Sequence, residues 1–487
     1  MNKLACLLLL ALGCGKVTSG DGADGGGDGA NDAPTDIELS AATVEEQAPP
    51  GTRVGLLRAV DADASDQHTF ELIDDAGGLF AIDGDRLQVA PGAVPNYETG
   101  ASVTVTVEAT DDGGLGVEKD LEIEILDLLE VVNNLNDGAG SLRQTIADAE
   151  PGQTILFETG LSPSISVNGP LLLTKAVTIR GPLPPAEIVL DALDNNRVFE
   201  ISVAADVTLQ NLRLRGGTAS SGGAIQNQGT LVVERCVIED STATGSGRGG
   251  AIHNIGTLTA RDSSFLRNRG FNGGAIGADS ADGTTFERCT FVGNETTGNS
   301  GGAIVGGYLK VINSTFFQNV ASDATQDRVG GAIGLFYPDN EILFSTISGN
   351  SADGEGGGIY CSSSEDGPIS LTLRGTIVAG NGAPTGPDIA LGTDCVVTAE
   401  SSAISDAGGH DVIDGASGNL VGTAIPLGEP GDNGGLTPTM VPDDGVPSID
   451  LVPVASCTDL AGNPLAVDQR GDPRPAGEDC DAGSVEL

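Results

Sequence analysis

The chain has 487 residues, a formal net charge of -46, 73 glycines and no tryptophan. That charge excludes nucleic acid as a partner, because phosphate binding needs clustered Lys and Arg, and the 23 present are scattered. It fits a well-solvated surface protein that recruits divalent cations, and the length allows more than one domain.

Residues 1–14 read MNKLACLLLLALGC. Lys3, the apolar run 4–12 and a small residue before Cys14 describe a secretion signal, too short to span a bilayer. Ala11-Leu12-Gly13-Cys14 resembles a bacterial lipobox, with Leu12 a departure from the commoner small residue. The resemblance implies that Cys14 is acylated and holds the mature chain at the cell envelope, at the outer membrane or cell surface. Ordinary signal-peptidase cleavage nearby is the alternative. Residues 15–33 are Gly/Asp-rich and predict an unstructured tether.

From 34 to 128 the pattern alternates: Asp36-Ile37-Glu38-Leu39, then 53–57, 102–107 and 121–125 read as short strands of a β-sandwich. Val44-Glu45-Glu46, Asp61-Ala62-Asp63, Phe80-Ala81-Ile82-Asp83, Asn96-Tyr97-Glu98 and Ala109-Thr110-Asp111-Asp112-Gly113 together resemble a cadherin-like repeat. The resemblance implies Ca2+ held by Asn31, Asp61, Asp63 and Asp111 at the end nearest the tether. It also implies a second, incomplete site from Glu46 and Glu98 at the other end. Oxygen donors of this kind suit a hard cation. Only one repeat is present, and Leu126-Asp127-Leu128-Leu129 lacks the acidic linker of the family. Acidic loops that are merely solvated are the other reading.

Residues 129–425 predict a parallel β-helix. At its start, Ser141 is a candidate N-cap for a short helix with Leu142, Ile146 and Ala149 on one face, suited to cover the open first coil. Segment 132–149, with Gly140-Ser141-Leu142-Arg143-Gln144-Thr145, resembles the opening of bacterial surface β-helix proteins named for a Cys-Ser-Leu-Arg-Glu-Ala signature. Gly140 stands where that Cys would be.

A phrase then recurs six times. Its turns are Gly222-Gly223-Ala224-Ile225, Gly249-Gly250-Ala251-Ile252, Gly273-Gly274-Ala275-Ile276, Gly301-Gly302-Ala303-Ile304, Gly330-Gly331-Ala332-Ile333 and Gly356-Gly357-Gly358-Ile359. The third residues are 27, 24, 28, 29 and 26 apart, a solenoid period. Cys236, Ser263, Cys289, Ser314, Ser345 and Thr376 form one column; Ile238, Phe265, Phe291, Phe316, Ile347 and Val378 form a second, two residues on. Period-2 spacing puts both on one strand face, filling a narrow interior. Ser241, Asn268, Asn294, Asn319, Asn350 and Asn381 read as an amide ladder at a turn. No helical period competes, so the fold class is all-β. It is a right-handed parallel β-helix, pectin-lyase-like, preceded by a cadherin/Ig-like sandwich.

Such β-helices include polysaccharide-cleaving enzymes, whose sites gather Asp with Arg, Lys or His on an outer face. Asp240, Arg248, His253, Arg261, Asp262, Arg267 and Arg269 are the candidates. Their spacing gives no convincing constellation; His253 reads as an exposed loop histidine, and Gly408-Gly409-His410-Asp411 sits among turns. Specificity is expected in loops such as 295–300 and 321–329. Cys236 and Cys289 lie two coils apart, about 9.6 Å at about 4.8 Å per rung, beyond disulfide reach. Cys457 with Cys480, and Cys361 with Cys395, are the expected bonds in an oxidising compartment.

In residues 426–487, Asp432-Asn433-Gly434-Gly435-Leu436-Thr437-Pro438, Asp468-Gln469-Arg470-Gly471-Asp472-Pro473-Arg474-Pro475 and Cys480-Asp481-Ala482-Gly483 resemble the choice-of-anchor Q region found after such β-helices. This implies a cap that closes the far end of the solenoid. Arg470 and Arg474 are expected to pair locally with aspartates. The expected function is a non-enzymatic surface adhesin or structural lipoprotein: membrane-held by its lipid, calcium-binding, and contacting glycans or surface proteins through its loops. A polysaccharide lyase or glycoside hydrolase is the alternative.

Overall fold

The computed structural model describes residues 16–17, 31–63, 66–184, 186–279, 283–322, 329–362 and 367–487. Cys14 and most of the expected tether lie outside them. The chain divides into two compact units, Met1–Leu128 and Leu129–Leu487.

The first unit has strands β1 (Lys16–Val17), β2 (Asp36–Leu39), β3 (Thr43–Glu45), β4 (Arg53–Val60), β5 (Thr69–Asp74), β6 (Phe80–Asp83), β7 (Arg86–Val89), β8 (Ser102–Thr110) and β9 (Gly116–Leu126). One sheet runs β2-β4-β7-β6; the other runs β1-β9-β8-β5, with β3 also on β9. Alternation sorts the faces: on β9, Val117, Leu121, Ile123 and Ile125 are buried while Asp120, Glu122 and Glu124 are exposed. The inward residues, with Ile37, Leu57, Leu87, Val105 and Val107, form one core. Within the expected tether, Lys16–Val17 pair antiparallel with Glu118 and Val117.

The second unit is a parallel β-solenoid. Among the described residues its first and second sheets have eleven strands each, from Leu129–Val131 to Cys395–Glu400 and from Ser164–Ser166 to Leu420–Val421. The third, Leu171–Leu173 to Ile389–Leu391, has nine. A fourth sheet, from Thr218–Ala219 to Ser351–Ala352, has six strands and was not foreseen. Glu295–Ser300 is one of them, paired with Arg269–Asn272 and Val320–Ala321, so this stretch is a sheet strand rather than a projecting loop. Of 321–329, residues 323–328 lie outside the described set.

The interior follows the repeat columns. Phe265, Phe291 and Phe316 stack at 4.7 and 4.6 Å between centroids, nearly parallel. The small column is also a hydrogen-bond ladder: the N–H groups of Cys236, Cys289 and Ser314 donate to the hydroxyls of Ser263, Ser314 and Ser345 one coil on. Cys236 and Cys289 are buried free thiols, pushed up to about 12 by burial.

The corners at either end of the second sheet are single left-handed residues, mostly not glycine. Arg235, Asp262, Arg288, Asn313 and Phe344 precede the small column, and Asp240, Arg267, Gly293, Gln318, Gly349 and Gly380 precede the ladder residue. The glycine pair acts elsewhere, where the fourth sheet folds back onto the third. Gly249 has φ +64, and a Cβ on Gly250 would strike the carbonyls of Gly274 and Arg269. The first glycine answers a dihedral and the second a close approach.

Helix α1 (Leu142–Asp148), capped by Ser141 Oγ accepting from the Gln144 N–H at 3.3 Å, sends Leu142 and Ile146 into the first coils. At the far end, residues 406–419 cover the last coil. Val412 packs on the core, and the Gly409 carbonyl accepts from the Leu391 N–H at 2.9 Å.

The expectation that 426–487 closes that end is therefore corrected: this segment runs back along the outer face of the second sheet. Gln469 accepts from Thr315 Oγ1 at 2.7 Å and meets Thr290 Oγ1 at 2.8 Å, and the Ser484 N–H donates to Thr346 Oγ1 at 3.0 Å. The reason is apolar: Leu343, Phe344, Ile377 and Ala379 need cover and receive it from Val452, Cys457, Leu465 and Cys480. Cys457 and Cys480 are bonded, Cα atoms 6.3 Å apart; Cys361–Cys395, at 5.9 Å, joins one coil to the next.

Candidate functional site

Two loops converge at one end of the sandwich. Asp61 follows β4, Asp66 lies in the same loop, and Asp111 follows β8; carboxylate oxygens of these three lie within 4.8 Å of one another. Asp61 accepts from the Asp63 N–H at 3.0 Å and meets His68 Nε2 at 2.9 Å. Asp111 accepts from the Leu115 N–H and from Asn31 Nδ2, both at 2.8 Å. Asp66 Oδ2 is buried and has no hydrogen-bond partner among the described residues.

Burial raises the Asp66 carboxyl, and repulsion from Asp63, Asp61, Asp111 and Asp112 adds to it. At Asp61 and Asp111 burial also pushes upward, but the accepted hydrogen bonds win and both lie below the usual range.

The four residues named from the sequence thus separate. Asp61 and Asp111 stand in the cluster, Asn31 orients Asp111, and Asp63, outside the group of three, accepts from the Asp32 N–H at 2.7 Å. Asp66 was missed; its signal was a third acid five residues after Asp61 in one Gly-free loop. Glu46 is buried, with Oε1 accepting from the Leu128 N–H at 2.8 Å and Oε2 from the Tyr97 N–H at 3.2 Å. The side chain of Glu98 lies outside the described residues.

On the solenoid, the charged candidates meet partners from adjacent coils. Arg267 grips Asp240 at 2.8 and 2.9 Å, Arg288 grips Asp262 at 2.7 and 3.1 Å, and Arg261 reaches Glu287 at 3.1 Å. Arg269 meets Glu295 at 3.5 Å. Hydrogen bonding to these carboxylates holds the Arg267 and Arg288 guanidiniums above their ordinary value.

His253 is not a loop residue: it lies on strand Ile252–Asn254, half-buried. Nε2 is 3.0 Å from Asp279 Oδ2 and Nδ1 is 3.2 Å from Gln226 Oε1. Burial first, then the charges of Arg248 and Arg197, lower its pKa to about 4. Asp279 opposes that shift but is itself neutralised by Arg248. The structure therefore brings Arg248 and His253 together, with Asp279 between them.

The Asn ladder runs as expected. Asn268, Asn294, Asn319 and Asn350 each donate Nδ2 to the next Oδ1, at 3.1, 2.9, 2.8 and 2.9 Å. Asp388 ends it, accepting from Asn381 Nδ2 at 2.9 Å. A second, unforeseen ladder links Asn227, Asn254 and Thr284. In the C-terminal segment, Arg470 pairs with Asp468 and Asp472, whereas Arg474 meets Glu486 and lies 4.8 Å from the Phe344 ring centroid. His410 Nδ1 accepts from the Val412 N–H and Nε2 faces the Asp406 carbonyl, a turn-building role.

A search of curated proteins finds no match. Part of the chain is similar to a crystal structure of Drosophila N-cadherin EC1-3: 21% identity over 22% of this chain and 39% of that one, with a TM-score of 0.17. The chain thus spans about two fifths of that structure's length. Residues 344–362, which carry Asn350 and the Gly356-Gly357 turn, match the model of the Chlamydia polymorphic membrane protein repeat. That match and the parallel solenoid together fit a bacterial surface β-helix protein.

Proposed function

We propose that the chain is a non-enzymatic adhesin or structural lipoprotein of the bacterial cell surface, with a stiff solenoid and a calcium-ordered sandwich. The lateral pairing of solenoid charges carries this reading. Asp240, Arg261, Asp262, Arg267 and Arg269 each engage a side chain of a neighbouring coil, the arrangement of a self-satisfied surface. Ligand contact then falls to the loops between coils, with glycans or neighbouring surface proteins as ligands. Purified chain on a glycan array is the test: retention of no glycan, together with no binding to whole cells, rejects adhesion.

Calcium is proposed at Asp61, Asp66 and Asp111, because the buried Asp66 oxygen, unpartnered among the described residues, and the mutual repulsion of three carboxylates both call for a cation. A metal there neutralises that repulsion, while Asn31 and the Asp63 N–H hold two of the carboxylates in place. Calcium at about 100 times its dissociation constant stabilises the sandwich by about 2.7 kcal/mol. A melting temperature unmoved by calcium or chelator refutes the site. Palmitate incorporation, lost in Cys14→Ser, tests the anchor.

A second reading, polysaccharide cleavage, is favoured by the one place among the described residues where an arginine, a histidine and an aspartate meet on an outer face, Arg248, His253 and Asp279. Turnover of acidic polysaccharides that disappears in His253→Ala would select it over adhesion.

A further inference from the structure

The outer edge of β9 is paired at its two ends and, among the described residues, open between them. Lys16–Val17 take up Glu118 and Val117, and Thr43–Glu45 take up the stretch from Glu124 to Leu126. Residues 119–123 have strand β8 on one side and no strand on the other, among the described residues. Backbone direction alternates along a strand. The Glu124 N–H reaches the Ala42 carbonyl and the Leu126 carbonyl accepts from the Glu46 N–H, so Asp120 and Glu122 turn their backbone groups to the same open edge.

Beside this edge lies an open cleft of 1510 Å³, bounded across by β2 and by Leu56, Leu57 and Arg58 of β4. Its cations are engaged: Arg58 pairs with Glu38 at 3.1 Å, and Lys119 pairs with Asp36 at 2.7 Å and donates to the Ile37 carbonyl. Asp85, Asp120, Glu122 and Glu124 remain as lining carboxylates. Ser102 and Thr106 hydroxyls donate to Glu122 and Asp120 at 2.7 Å, which leaves the charges in place.

We propose that this gap is a strand-addition site for an extended basic protein segment, with Lys or Arg at alternate positions. Main-chain bonds to Asp120 and Glu122 supply the docking, and the side chains on one face of the added strand meet the acidic lining. The edge already accepts an added strand at β1, in the antiparallel sense. The inference is independent of calcium and of the solenoid.

The test uses the full chain and a short blocked peptide alternating lysine and valine. Two further versions are N-methylated at every second backbone nitrogen, one in each phase. Binding is read by fluorescence anisotropy and located by amide hydrogen exchange.

The lysine peptide should bind, weaken with salt and protect the Asp120 and Glu122 amides. One methylated phase should fail and the other bind, because only one edge of the added strand meets β9. A glutamate–valine peptide should not bind, and Glu122→Lys should weaken the lysine peptide by roughly tenfold. Failure of the lysine peptide to bind, equal binding by both methylated phases, or protection elsewhere overturns the proposal. A dimer that protects the same amides without peptide overturns it in favour of a second copy of the chain.

Discussion

In the solenoid, Asp240, Asp262 and Asp279 each face a guanidinium from a neighbouring coil, whereas in the sandwich Asp61, Asp66 and Asp111 face one another. Geometry explains the difference. Rungs about 4.8 Å apart bring equivalent side chains into repeated contact, so one arginine placed a coil away neutralises the acid below it. Loops that meet at the end of a sandwich have no such register, and their acids converge with only His68 as a nearby titratable base among the described residues. An acid-rich chain thus carries compensated charge along the repeat and uncompensated charge at the sandwich end, where a cation has work to do.

The sharpest break between the two regions comes from the solenoid interior. Phe291 is fully buried and stacked on both sides by Phe265 and Phe316. Phe291→Ala should cost about 3 to 5 kcal/mol. Scanning calorimetry should show the solenoid transition fall while the sandwich transition stays; a shared fall would mean the units do not melt independently. Next, Asp66→Asn should abolish the calcium-dependent rise of the sandwich transition and, without calcium, raise that transition, because one of three repelling charges is gone. A variant that keeps the full calcium response would remove Asp66 from the site.

Much of the solenoid was legible because each coil repeats one interior: Phe265, Phe291 and Phe316 occupy one slot, and Asn268, Asn294, Asn319 and Asn350 another. What the pattern hid depends on contacts that the period does not encode. Left-handed corners at Asp262 and Arg288 read in sequence as ordinary charged residues, and only their pairing across a coil shows why they stand there. The docking of Gln469 on Thr290 spans 179 positions, and no local signal marks it. Asp66 escaped notice because the family resemblance pointed to Asp63, whose carboxylate instead accepts from the Asp32 N–H. The fourth sheet was obscured by stretches such as Glu295–Ser300, whose polar composition reads as loop.

Acid should separate the regions a second way. In the folded solenoid the pKa of His253 is lowered to about 4 from 6.5. Above pH 6.5 the ring is neutral in both folded and unfolded chains, and its contribution is fully present. As pH falls toward 4 the unfolded chain takes the proton first, and that stability is lost. With Asp279 partly offsetting the shift, the loss by about pH 5 is about 1 to 2 kcal/mol. His253→Gln should flatten this part of the solenoid's pH profile and leave the sandwich profile unchanged. An unaltered solenoid profile would show that His253 accepts a proton in place.

The smallest effect concerns how the corners are maintained. At the slot before the ladder, Gly293, Gly349 and Gly380 adopt φ of 63, 65 and 69°, where glycine has no Cβ to strain. Arg267, at φ 51°, is strained but gains two bonds to Asp240. Gln318, also at φ 51°, is exposed and its side chain takes no partner among the described residues. Left-handed backbone costs an L-residue about 1 to 2 kcal/mol, and glycine's extra freedom in the unfolded chain returns about 0.5 to 1. Gln318→Gly should therefore stabilise the solenoid by about 0.5 kcal/mol, read as a small rise in its denaturation midpoint. Arg267→Gly should not, since it removes the lateral pair along with the strain. Equal gains from both variants would mean that the coil-to-coil ion pair contributes nothing there, and the contrast between the paired acids of the solenoid and the clustered acids at the sandwich end would then rest on charge placement alone, without any stabilisation from the pairing.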